Sequence, residues 1–172
     1  MIRIVVADPL DVEAEGLVRP VGADLEGATP WSREVGIEAG EGALAGLRAQ
    51  GDLPAGAAVV TPGGALPVPF LIHAVLASAD EPPTDTGVLR ALRNSLRRAS
   101  EWEMERLVLP PLGSGVAVGD AERLVTPTLE QIEEYLAHHP SPAEVVLAVR
   151  PGFEASIYQD AHRRLSGRES GT

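Results

Sequence analysis

The residues whose types and spacing could do chemistry gather in Pro110 to Asp120, PPLGSGVAVGD, where three glycines and a serine lie between an apolar run and a helical pattern. A glycine loop at a strand-to-helix junction can aim several backbone N–H groups at one point, and the helix dipole favours negative charge there. The chemistry on offer is therefore anion binding by neutral donors. A plain connector is the competing reading, since a bare GxG is common. The loop lacks the lysine of a nucleotide-hydrolysing P-loop. Ser114 lacks the G-x-S-x-G setting of a nucleophile elbow.

Other reactive side chains offer less. His73 lies inside the apolar run PFLIHAVLA and reads as a satisfied core histidine rather than a catalytic one. His138 and His139 close a helical pattern, where cationic side chains suit the dipole, and no metal-ligand spacing surrounds them. Neither a metal nor a cofactor is expected. Glu133 and Glu134, and the group Glu101, Glu103 and Glu105, read as solvated helix faces. With no cysteine in the chain, disulfide and thiolate chemistry are excluded.

The formal net charge is −11, and every basic side chain is arginine. That balance argues against nucleic acid as a partner, because phosphate-gripping surfaces need a clustered basic face. Arg90, Arg93, Arg97 and Arg98 come nearest to one and read as a solvated helix side. A small anionic ligand is not forbidden if backbone dipoles supply the attraction. No apolar run approaches the roughly 20 residues needed to span a bilayer, and MIRIVVADPLDVE turns acidic too early for a secretory signal. No membrane partner and a cytoplasmic location are expected.

The elements that must position the loop follow from hydrophobic period and turn chemistry. Ile2 to Ala7 and Gly16 to Val21 read as strands. Ser32 to Gln50 carries helical spacing with Ser32 as N-cap, weakened by four glycines. AAVVTPGG and PFLIHAVLA are strands, the second buried on both faces. Val88 to Ala99 marks a helix capped by Asp85 or Thr86. RLVLP leads into the glycine loop, Asp120 caps the next helix, and Pro127 is expected to kink or restart it. EVVLAV is the last strand and Phe153 to Leu165 the last helix. This alternation predicts a single α/β domain over residues 1–166 with a mostly parallel central sheet, and a flexible tail over 167–172. In such sheets ligands bind outside the carboxyl ends of strands, which is where the glycine loop falls.

Two stretches carry a more specific pattern. Gly51, Leu53, Pro54, Gly56, Ala58, Thr61, Gly63, Gly64 and Leu66, then Ile72-His73-Ala74-Val75, then Gly113, Ser114, Gly115 and Gly119 follow in order and spacing. Together they resemble the macro domain, the ADP-ribose-binding fold. The resemblance implies a three-layer α/β/α fold with a mixed six-stranded sheet. It further implies that Gly113, Ser114, Gly115, Val116, Ala117 and Val118 wrap a diphosphate and distal ribose. Asp8, after the first strand, would accept from an adenine amino group, with a simple turn role as the alternative. Arg150, with Phe153 just beyond it, stands where the family places an aromatic residue against adenine, and a guanidinium plane can stack on a base.

The first third departs from the family pattern. Arg19-Pro20-Val21-Gly22 stands where N-A-A-N binds the proximal ribose and orients water in hydrolytic members, so both asparagines are gone. Gly27 to Val35 replaces the usual glycine-rich segment. From it Trp31, Ser32 and Val35 are expected at the ligand, Trp31 either covering the cleft or packing elsewhere. Arg19 or Arg33 could grip phosphate or face solvent. The reading is binding of ADP-ribose, a related nucleotide or an ADP-ribosylated protein, with weak or no hydrolysis. The alternatives are a hydrolase with a rearranged site, for which Glu34 is the carboxylate at hand, and an interaction module that lost the ligand.

Overall fold

Alternating side chains sort the strands onto two covered faces. We describe residues 1–49, 51–116 and 121–169 of a computed structural model of the chain. The strands are β1 (Ile2–Val6), β2 (Gly16–Gly22), β3 (Ala58–Pro62), β4 (Phe70–Ala77), β5 (Arg106–Leu109) and β6 (Glu144–Val149). The helices are α1 (Pro30–Ala39), α2 (Glu41–Arg48), α3 (Asp85–Glu101), α4 (Val125–His138) and α5 (Phe153–Glu169). The sheet order is β1-β6-β5-β2-β4-β3, parallel except for β3, which pairs antiparallel with β4 at the edge. This is the mostly parallel sheet that the alternation predicts, and the mixed six-stranded one that the resemblance implies.

On one face Val18, Ile72, Leu107 and Leu147 pack under α3, α4 and α5. On the other, Leu17, Leu71, Val108 and Val146 pack against Trp31, Val35 and Ala39 of α1, and Val21 and Val75 form a smaller cluster with Leu25. Burial of this apolar surface, worth about 25 cal/mol per Å² removed from water, drives the layering. No described helix is long and apolar enough to cross a membrane.

Several boundaries differ from the sequence-based expectation. The single helix expected from Ser32 splits at Gly40, whose φ of 91° lies in the left-handed region that favours glycine. Its N-cap is Thr29, whose hydroxyl accepts from the Ser32 N–H, with Pro30 in the first turn. Thr84, not Asp85 or Thr86, caps α3. The helix expected after Asp120 is divided into a 3-10 turn, Ala121–Leu124, and α4 from Val125, with Pro127 in the first turn of α4, where its missing N–H has no intrahelical partner to lose. α5 continues past Leu165 through Glu169. The Asp120 cap, Gln50 and the end of the expected tail lie outside the described residues.

One feature of register sets up the site. β2 pairs with β4 from Gly16 to Gly22, but with β5 only through Gly16 and Leu17. The carboxyl halves of β2 and β5 therefore part, leaving a fork in the middle of the sheet.

Candidate functional site

A cleft of about 210 Å³ lies in this fork, with Pro20 of β2, Ala148 of β6 and Pro110 and Pro111 after β5 among its walls. Pro20 has no N–H to offer a ladder, which suits a strand whose neighbour has moved away. Its carbonyl still accepts from the Ala28 N–H at 3.0 Å and the Ser32 hydroxyl at 2.5 Å. A larger groove of about 620 Å³ runs between α3 and α4, lined by solvated side chains such as Arg93, Arg97 and Glu134. We centre the site on the fork, where backbone converges with the carboxyl ends of strands.

The first wall is the glycine loop. The Ser114 N–H closes a turn onto the Pro111 carbonyl at 3.2 Å, and Gly115 follows at φ 71° with its Cα facing the Thr29 methyl. A side chain at Gly115 is thus strained in backbone and aimed across the cleft. Gly113 is buried against Leu124, where a Cβ would collide. Val116 packs toward the main core. Ala117 and Val118 lie outside the described residues.

The second wall is the start of α1. Thr29, Pro30 and Trp31 face the cleft, and the Trp31 indole N–H donates to Asp8 Oδ1 at 3.1 Å. The same oxygen accepts from the Leu10 N–H at 3.0 Å, capping the one-turn helix Pro9–Asp11. Trp31 therefore combines two expected roles: it lines the cleft and packs in the core, only 8% exposed. Ser32 and Val35, expected at the ligand, are sealed beneath the wall and do not line the cleft. They support it instead.

Behind this wall sits a buried polar chain. Arg19, 2% exposed, donates through Nε to the Ser32 carbonyl at 2.7 Å and through Nη1 to His73 Nδ1 at 3.3 Å. Because a guanidinium only donates, His73 Nδ1 must accept, and its proton sits on Nε2, directed at Thr61 Oγ1 at 2.8 Å. Gly36 of α1 leaves the space the guanidinium occupies, since a Cβ there would collide with it. Burial pushes the Arg19 guanidinium down to about 10, leaving it cationic at neutral pH. Burial, reinforced by Arg19, pushes His73 down to about 3, so it is neutral. His73 is thus the satisfied core histidine read from its apolar run. Arg19 is neither a phosphate grip nor solvent-facing: cross-strand register with His73 draws it inward. Arg33 is exposed, donating to the Gly27 carbonyl at 3.4 Å.

On the adenine side of the expected site, Arg150 lines the cleft, whereas Phe153 is 77% exposed and outside it. Glu34 is also exposed and outside. Two polar lining residues escaped sequence reasoning. Thr29 was legible as a cap before proline. Glu154, in the first turn of α5, belongs to no motif; its Oε2 accepts from the Ser114 hydroxyl at 2.9 Å. Among the described residues no group of three or more His, Asp or Glu could hold a metal ion.

The sequence profile of the Macro domain matches residues 32–126. Over 171 residues the chain is 28% identical to the "Macro domain-containing protein in gbd 3'region" of Cupriavidus necator, covering 96% of this chain and 97% of that protein. A macrodomain mutant from Oceanobacillus iheyensis, solved with ADPR, superposes with a TM-score of 0.84 at 21% identity, covering 95% of this chain and 92% of the other. The macrodomain of that organism solved with ADP gives a TM-score of 0.81 at 20% identity, over 96% and 91% of the two chains.

Proposed function

The chain belongs to the macro domain family, and on that premise we propose that its cleft binds ADP-ribose or a related nucleotide diphosphate, free or on a protein, with weak or no hydrolytic turnover. The observation that carries this reading is the fork between β2 and β5, walled by a glycine loop at the carboxyl end of a strand. Backbone donors there can meet a diphosphate without added cations, which a chain of net charge −11 otherwise opposes. Similar proteins were solved with ADPR and with ADP. Asp8 suits the base end, because two donors fix its Oδ1 and among the described residues none reaches Oδ2. Arg150 offers a planar cation on the cleft wall.

The second half of the proposal rests on what stands in place of the ribose-binding amides. Arg19 turns into the core, Pro20 presents no donor, and Gly22 has no side chain. Asn94, the chain's one asparagine, donates to the Gly56 carbonyl at 2.7 Å and lines the groove between α3 and α4 instead. Each lost ribose hydrogen bond removes about 0.5–1.5 kcal/mol, and hydrolysis loses more because it depends on placing water.

Calorimetric titration with ADP-ribose, beside AMP and ADP, tests the binding claim. Saturable heat with ADP-ribose is expected. Neither heat nor thermal stabilisation at millimolar ligand would favour an interaction module that has lost its ligand. Incubation with a mono-ADP-ribosylated protein tests turnover, and the label should persist for hours at high protein concentration. Prompt release of the label contradicts this half of the proposal.

A further inference from the structure

Glu154 is an acceptor-only carboxylate placed at an anion-binding loop. It projects from the first turn of α5, half-buried, and its Oε2 accepts from the Ser114 hydroxyl, the residue next to Gly115. It lines the same cleft as Thr29, Trp31 and Arg150. Among the described residues no ion pair joins it to Arg150 or to any other arginine, so its charge is not cancelled at close range. A pure anion site has no use for such a group, because like charge at the loop weakens every phosphate that approaches. A hydroxyl-bearing ligand does have a use for it, since a carboxylate accepts from hydroxyls in bonds stronger than neutral ones.

From this we infer that Glu154 is a specificity-determining residue, selecting nucleotides whose second phosphate is esterified to a polyhydroxyl group over those ending in a free phosphate. The inference rests on the nucleotide reading of the cleft and deepens it. A diphosphate diester such as ADP-ribose carries about two negative charges. A terminal phosphate ionises again with a pKa of about 6, so ADP carries about three at neutral pH. The extra charge of ADP sits on the terminal phosphate, next to the loop that Glu154 touches. Repulsion falls on ADP more than on ADP-ribose, whose distal hydroxyls meet an acceptor there.

The test is calorimetric titration of ADP-ribose and ADP into wild type and Glu154→Gln, at low and at physiological ionic strength. Glutamine keeps an oxygen for the Ser114 hydroxyl while removing the charge, and thermal unfolding checks that the variant is folded. Wild type should prefer ADP-ribose, and Glu154→Gln should narrow the preference by roughly fivefold, mainly by tighter ADP binding. Added salt should narrow the wild-type preference and leave the variant's unchanged, a response that a merely structural role for Glu154 does not produce. An affinity ratio equal in wild type and variant, with both nucleotides bound, overturns the inference while leaving the nucleotide reading intact. Failure of wild type to bind either nucleotide overturns the nucleotide reading and this inference with it.

Discussion

The wall of the cleft formed by Pro110 to Gly115 keeps its course through backbone, whereas the wall formed by Thr29 to Trp31 is held by side chains buried behind it. In the loop, a turn onto the Pro111 carbonyl and the left-handed Gly115 set the path, and Gly115 itself is exposed. In the α1 wall, Ser32 ties the helix to Pro20, and Arg19 ties the Ser32 carbonyl to His73 and Thr61. The difference teaches where each wall can fail. Damage to the α1 wall should appear as lost stability. Damage to the loop should appear as lost binding in a protein that still folds.

Arg19→Ala is the strongest way to break the α1 wall. It leaves a cavity, removes the second donor at the Ser32 carbonyl and strands His73 Nδ1, and it should cost about 3–5 kcal/mol. Urea unfolding measures this, and a cost under 1 kcal/mol would show that the buried cation holds little. Gly36→Ala attacks the same contact from the helix side. Its methyl meets the guanidinium, so despite alanine's better helix propensity it should destabilise by about 1–3 kcal/mol. Stabilisation by this change would mean that the guanidinium has room to shift.

How much of each wall was legible in the sequence follows from the same contrast. The loop is local: glycines at fixed spacing after RLVLP announce a turn at the carboxyl end of a strand without knowledge of any partner. The sheet and its helices were legible for the same reason, because period and punctuation are local. The α1 wall depends on what lies across the sheet. Nothing in Arg19 itself distinguishes a buried guanidinium from a solvated one; only the pairing of β2 with β4 brings His73 beside it. Ser32 looked like a cap because serine before an apolar period usually is one. Thr29 and Pro30 won that position, which freed the Ser32 hydroxyl for Pro20. Glu154 escaped because its meaning comes from Ser114, distant in the chain.

Acid titration probes the α1 wall more gently. His73 sits at about 3 in the fold against an ordinary 6.5. Above 6.5 it is neutral in folded and unfolded chains, and its full contribution is present. As pH falls from 6.5 toward 3, the unfolded chain takes up a proton that the fold refuses, so stability drops by up to about 1.4 kcal/mol per pH unit. Below about 3 both states are protonated and this loss stops. Denaturation midpoints across this range, compared with His73→Gln, isolate the effect: the variant should show a shallower acid slope. Equal slopes would mean that His73 is protonated in the fold.

The loop wall gives the smallest change in stability and the largest change in function. Gly115→Glu forces a side chain into the left-handed region at a cost of about 1–2 kcal/mol, fills the cleft opposite Thr29, and adds like charge. Calorimetric titration of ADP-ribose into wild type and Gly115→Glu, with thermal unfolding of both, tests the central claim most directly. Saturable heat in wild type, and none in a variant that still unfolds cooperatively, is the predicted result. Equal affinity in the two proteins would contradict it and place the ligand elsewhere.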